Sequence, residues 1–170
     1  MKKLLIPLLL LAACSGEDGG NTTAQANQSA PAAPKASKPG EPPALSTLVG
    51  LYEGGDSARP HRMCVVEEGG DTRFGLVVWG GNDHSCSGAG SVRREGGNLR
   101  LSMSGDSACT FSAAISGKTI TLPAELPAGC AYYCGARAKM TGVSLTQTGA
   151  TKADAAKAQD LVGESLCGSE

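Results

Sequence analysis

The stretch WGGNDHSC, Trp79 to Cys86, holds more reactive side-chain types than any other short run of this chain. Asp83, His84 and Ser85 are the three types of a hydrolytic triad, in which a carboxylate orients a base and the base activates a nucleophile. Three consecutive side chains diverge, so this run cannot assemble a triad by itself. A hydrolase would need His84, or His61 with Asp83, to meet a nucleophile supplied elsewhere, and no recognisable one is present. Cys86 would serve only if it escaped a disulfide and gained a base. The two histidines have no metal-ligand spacing and no cofactor motif occurs, so neither metal nor cofactor is expected and a non-catalytic role is favoured.

A second group is basic. VRREGGNLR carries Arg93, Arg94 and Arg100 around a Gly-Gly-Asn turn, and RPHR carries Arg59, His61 and Arg62. If a hairpin gathers Arg93, Arg94 and Arg100, an acidic envelope protein or a lipid headgroup could dock there. With Trp79 as an aromatic anchor and His84 beside it, these residues form the candidate binding patch, although the preferred reading of Trp79 itself is a partial core residue, since lone aromatics usually pack. The competing use of such a cluster is a solvated strand face. The recurring GGD and GGN triplets suggest calcium at first sight, but their spacing is irregular, and hairpin turns explain them better.

Seven cysteines are present, at positions 14, 64, 86, 109, 130, 134 and 167, an awkward odd number for an exported chain. The first follows a positive start and the apolar run Leu4 to Ala13. That run makes roughly 15 Å of helix, half a bilayer core, so it reads as a signal peptide over residues 1–13 and not as a span. Leu11-Ala12-Ala13-Cys14 resembles the lipobox of bacterial lipoproteins. The resemblance implies cleavage before Cys14, a diacylglyceryl group on its sulfur and a further acyl chain on its amino group. Several acyl chains make such an anchor effectively permanent. Ser15 in the next position implies export to the outer membrane, with the periplasmic face preferred over the surface. The alternative is an ordinary cut at Ala13 with Cys14 incidental.

Setting Cys14 aside leaves Cys64, Cys86, Cys109, Cys130, Cys134 and Cys167, an even set for three disulfides in an oxidising compartment. Connectivity is open from sequence; the expected pairing joins Cys64 to Cys86 and leaves the other four to form two bridges. A zinc site at Cys130-x-x-x-Cys134 lacks the second pair of ligands that such sites need.

The elements that must position these residues read as β. Residues 15–44 contain no Leu, Ile, Val, Phe or Met, so they cannot offset their ordering entropy and are expected to form a disordered tether behind Cys14. From 45 to 149, glycine-rich turns separate stretches of alternating polarity, such as Leu99, Leu101 and Met103 against Arg100 and Ser102. Strands are expected over 48–53, 62–67, 73–79, 88–94, 98–103, 109–115, 118–122 and 135–146, the last broken at Gly142. The fold class is therefore all-β, a small antiparallel barrel or sandwich of about eight strands with a C-terminal helix. In the tail over 150–170, Thr151 and Asp154 resemble a capping pair, and Ala155, Ala158, Val162 and Leu166 share one helical face over 152–165. The net charge of −1 argues against a nucleic-acid partner.

Two further resemblances concern the body. CAYYCGARAKMTG and DLVGESLC are similar to a pattern in uncharacterised cell-envelope proteins of alphaproteobacteria, and this implies no function. Leu48, Gly50, Tyr52, Cys64, Cys86, Leu99 and Leu101 resemble the periplasmic metalloprotease-inhibitor family, small eight-stranded barrels with two cysteines bridged about twenty residues apart. That resemblance implies a protease inhibitor, although the family blocks its target with a free N-terminal trunk. The lysozyme-inhibitor lipoproteins share the plan of lipobox and small barrel. Their Ser-Gly-Ala-x-Tyr signature is echoed at Ser87-Gly88-Ala89, with Ser91 at the tyrosine position.

Overall fold

A computed structural model describes residues 48–167. The expected signal peptide, Cys14 and the expected tether lie outside the described residues. Eight strands follow one another: β1 Gly50–Gly54, β2 His61–Glu68, β3 Asp71–Trp79, β4 Ser85–Glu95, β5 Asn98–Met103, β6 Thr110–Ser116, β7 Thr119–Thr121 and β8 Ser144–Gly149. Each pairs antiparallel with the next, and β8 returns to β1, so the meander closes into a barrel. Closure leaves no edge strand exposed to other chains. Of the two architectures the alternation allows, the barrel forms.

Tight turns gather at one end of the barrel, where Gly96, at φ 59°, lets β4 fold directly onto β5. Longer loops gather at the other, lid end. Along each strand every second side chain enters the barrel, as Met63 and Val65 do from β2, Phe74 and Leu76 from β3, and Leu99 and Leu101 from β5. These side chains, with few aromatics among them, fill the interior as one packed core.

The expected strand over 135–146 is corrected to β8 alone. The chain from Leu122 to Val143 crosses the lid end as a loop that includes a short 3-10 stretch, Ala128–Tyr133. Its backbone bonds partly to the start of β4, with the Gly135 N–H donating to Ser85 O at 2.9 Å, and partly within the loop, with the Ala138 N–H donating to Gly135 O at 3.0 Å. Ala138 and Met140 are buried, so the apolar alternation marks genuine core contacts made from a lid instead of a strand.

The bridges are Cys64–Cys167, Cys86–Cys134 and Cys109–Cys130. The expected Cys64–Cys86 pairing fails for a geometric reason. Cys64 lies between the inward Met63 and Val65 and so projects outward, whereas Cys86 belongs to the interior core. Cys130 and Cys134 join different partners, two bridges that pin the lid to β4 and to the chain before β6. Among the described residues, no three His, Cys, Asp or Glu side chains are grouped to hold a metal ion.

The C-terminal helix is also shorter than its periodicity suggests. The capping box of Thr151 and Asp154 is formed, but α1 runs only from Lys152 to Ala155. Asp160 ends the helical prospect: its carboxylate accepts from the N–H groups of Val162 and Glu164, both at 2.9 Å. Such side-chain bonds offer the backbone a turn in place of a helix. The chain then doubles back, and Leu166 N–H donates to Ala158 O at 2.8 Å. The result is a strap across the outside of β2. Ala155 and Ala158 pack with Cys64 and Val66 in a second, exterior core, and Leu166 and Cys167 close over it. On β3 the strap demands glycine, since a Cβ at Gly75 would lie 2.5 Å from the Leu166 carbonyl oxygen.

Candidate functional site

Two loops build a cleft at the lid end. Between β1 and β2, Asp56 accepts the Ala58 N–H at 2.8 Å, a turn that presents Arg59. Between β3 and β4, Asn82 and Asp83 adopt left-handed φ of 54° and 61°, a conformation that their short polar side chains tolerate. This turn brings Asp83 into an ion pair with Arg59. The Arg59 guanidinium stands 4.9 Å over the ring centroid of Trp79, within cation–π range. Beneath it, the main-chain N–H of Trp79 donates to His61 Nδ1 at 3.1 Å. Asp56, Ala58, Arg59, His61, Trp79 and Gly80 line a cleft of about 350 Å³.

Trp79 is thus half-buried, with one face covered by an arginine, and is not a core residue. His84 stands apart from it on the lid side, where a Cβ at Gly135 would come 3.2 Å from its Nδ1. Asp83, His84 and Ser85 do not converge: Asp83 reaches Arg59, and Ser85 opens β4 opposite Trp79. Arg59 was visible in the sequence only as a member of a basic spot, and His61 only there and as a candidate hydrolase base with Asp83. The missing signal was topological, because a meander places the β1–β2 and β3–β4 loops at the same barrel end.

The arginines of the candidate patch lie elsewhere. From Ser85 the strand takes eight residue-to-residue steps to Arg93, roughly 26 Å, so Arg93, Arg94 and Arg100 belong to the turn end while Trp79 and His84 belong to the lid end. The patch is therefore two places. Even the three arginines divide. Arg93 and Arg100 are directly paired across β4 and β5 on the outer face, where Glu95 approaches both, at 2.9 and 4.0 Å. Arg94, one residue along, turns inward with Val92.

At that end Tyr52 is buried, and its hydroxyl donates to Leu48 O at 2.8 Å. Burial pushes its phenol up to about 12, with the Arg94 charge pulling the other way. On the lid, Tyr133 packs against the core while Tyr132, edge-on to it at 5.2 Å, is 76% exposed. One tyrosine covers the barrel end and the other offers a contact.

No family model, curated protein or solved structure matches the chain. Cys64 and Cys86 drop out of the resemblance to the metalloprotease inhibitors, because each bridges a different partner.

The His61–Trp79 contact has a pH dependence of fixed sign. Burial lowers the His61 pKa below 6.5, and protonation at Nδ1 would remove the acceptor that Trp79 uses. Below the unfolded-state pKa the unfolded chain takes up the proton more readily than the folded one. The stabilisation is therefore full above that value, declines as pH falls, and levels off below the folded pKa. Trp79 is the only tryptophan, so its fluorescence reports this site alone. Its emission should titrate with a midpoint below 6.5, and the transition should vanish in His61→Gln. A midpoint above 6.5 would contradict the contact.

Proposed function

We propose that this chain is an outer-membrane lipoprotein, held through acyl chains on Cys14, whose barrel binds an envelope partner without catalysing a reaction. The barrel carries three disulfides that use every cysteine from Cys64 onward. That pairing is the observation which carries the proposal: one cysteine is left over, and it stands at the end of the lipobox-like Leu11-Ala12-Ala13-Cys14. An exported chain with an odd cysteine needs another use for it, and lipidation supplies one.

The binding role is supported by the lid end. The lid loop that carries Tyr132 is cross-linked at Cys130 and Cys134, and Arg59 is already held by Asp83 and Trp79, so contacts made by either place carry a low ordering cost. Ion pairing of Asp83 with Arg59 and use of His61 Nδ1 by the Trp79 main chain also favour a scaffold over an acid–base pair.

Metabolic labelling with palmitate followed by membrane fractionation tests the anchor. The wild-type protein should take up label and sediment with the outer membrane, and Cys14→Ser should lose at least about 90% of both signals, since a stable anchor requires the acyl chains. An unlabelled wild-type protein, or a Cys14→Ser variant that still sediments, would refute the proposal.

A further inference from the structure

Among the described residues, Arg94 is the one charged side chain with buried nitrogen atoms and no acceptor for them. Its Nε and Nη2 are both buried and unbonded. In β4 it shares the inward parity of Cys86, Gly90 and Val92, and it is the last inward position before the turn into β5. Directly opposite is Leu99, and the Arg94 charge is felt at the buried Tyr52. An uncompensated cation in such surroundings is unfavourable, and a native fold normally supplies it with an acceptor.

Among the described residues none bonds to it here. Glu95 is on the outer face with Arg93 and Arg100. Tyr52 Oη donates to Leu48 O and accepts nothing from Arg94, and Thr72, the one buried polar side chain at this level of β3, makes no bond to Arg94. Glu67 has the inward parity on β2 but is exposed at the rim and forms no ion pair with Arg94.

The two unbonded atoms are informative as a pair. Nε–H and Nη2–H form the side edge of the guanidinium, two parallel donors that match two coplanar oxygens. A carboxylate has that geometry. The charge also matches, because a single inward cation balances a monoanion, and no second inward arginine is available for a phosphate dianion. We propose that Arg94 forms an oxyanion site at the turn end of the barrel that takes a small monocarboxylate. The partly exposed remainder of the side chain marks the side from which the ligand enters. This site stands independently of the lipid anchor and of the lid-end cleft.

Thermal unfolding of the mature protein with sodium acetate or sodium hexanoate, against sodium chloride at equal ionic strength, tests the proposal. Carboxylate at one hundred times its Kd should raise the wild-type Tm by about 5 °C or more. Arg94→Met should abolish the rise, and without ligand it should be at least as stable as wild type, because it removes an unpaired buried charge. Arg94→Lys keeps the charge without the paired donors and should lose most of the response, which keeps the test open if the methionine variant fails to fold. Glu67→Gln should leave the response unchanged. Equal Tm in acetate, hexanoate and chloride would overturn the site. So would an equal rise with inorganic phosphate, or matching destabilisation by Arg94→Met and Glu67→Gln, which would place Glu67 as the partner.

Discussion

Replacing Cys64 and Cys167 together by alanine should lower the stability of the folded domain by about 4 kcal/mol. The bridge closes the longest loop in the protein, with a sequence separation of 103. For an open chain of that length the entropy of cross-linking would be somewhat larger. Cys86–Cys134 and Cys109–Cys130 already shorten the path between the ends, and this trims the effect only slightly because it depends on the logarithm of loop length. The bridge also fastens the strap, whose remaining hold on β2 is the small exterior cluster of Ala155, Ala158 and Leu166 with Val66 and the Lys152–Glu68 ion pair at 3.9 Å. Guanidinium denaturation without reductant measures the loss, and hydrogen exchange should show the strap amides losing protection before those of the barrel. A loss below about 1 kcal/mol would mean that the strap is held by something other than this bridge.

Phe74→Ala should have an effect of similar size, about 3–5 kcal/mol. Phe74 is 1% exposed on the inner face of β3, in a chain with two phenylalanines and one tryptophan. Its neighbours in the core are mostly Val, Leu, Met and Ala, anchored on hydrogen-bonded strands that surround the site on all sides. A closed barrel cannot collapse readily into the space left behind, so the cost should fall toward the upper part of the range. Tyr132→Ala on the lid is the internal comparison, and at 76% exposure it should change stability by less than about 0.5 kcal/mol. Equal effects from the two substitutions in urea or guanidinium titrations would contradict the assignment of Phe74 to the interior.

What could be read from the sequence was whatever depends on neighbours along the chain. Alternation from Leu99 to Met103 and from Phe111 to Ile115 located β5 and β6 because a period of two belongs to one strand considered alone. The capping box of Thr151 and Asp154 was legible for the same reason. Connectivity was not. Whether Cys64 can meet Cys86 depends on which face each presents, and that follows from barrel registers between β2, β3 and β4 that no local pattern encodes. The segment 135–143 misled because a lid that closes a barrel also alternates apolar contacts, here through Ala138 and Met140. The tail misled because Asp160 offers the backbone turn bonds that compete with the helix implied by Ala155, Ala158 and Val162.

The candidate patch was legible only in part, and again parity decided it. Arg93 and Arg94 are adjacent in sequence, so they leave opposite faces of β4; one is solvated beside Glu95 and the other is enclosed. Trp79 and His84 were rightly placed at a strand end and its loop. The association of Trp79 with Arg59, His61 and Asp83, and not with Arg93, Arg94 and Arg100, followed from the up-and-down order of the barrel.

A mass map of the mature protein, digested without reduction, tests the proposed division of the seven cysteines into one lipid carrier and three crosslinks. Linked peptides joining 64 to 167, 86 to 134 and 109 to 130 are expected, together with an N-terminal peptide that begins at Cys14 and carries the added mass of its acyl chains. A peptide linking 64 to 86, a free thiol at any of those six positions, or an unmodified Cys14 would contradict it.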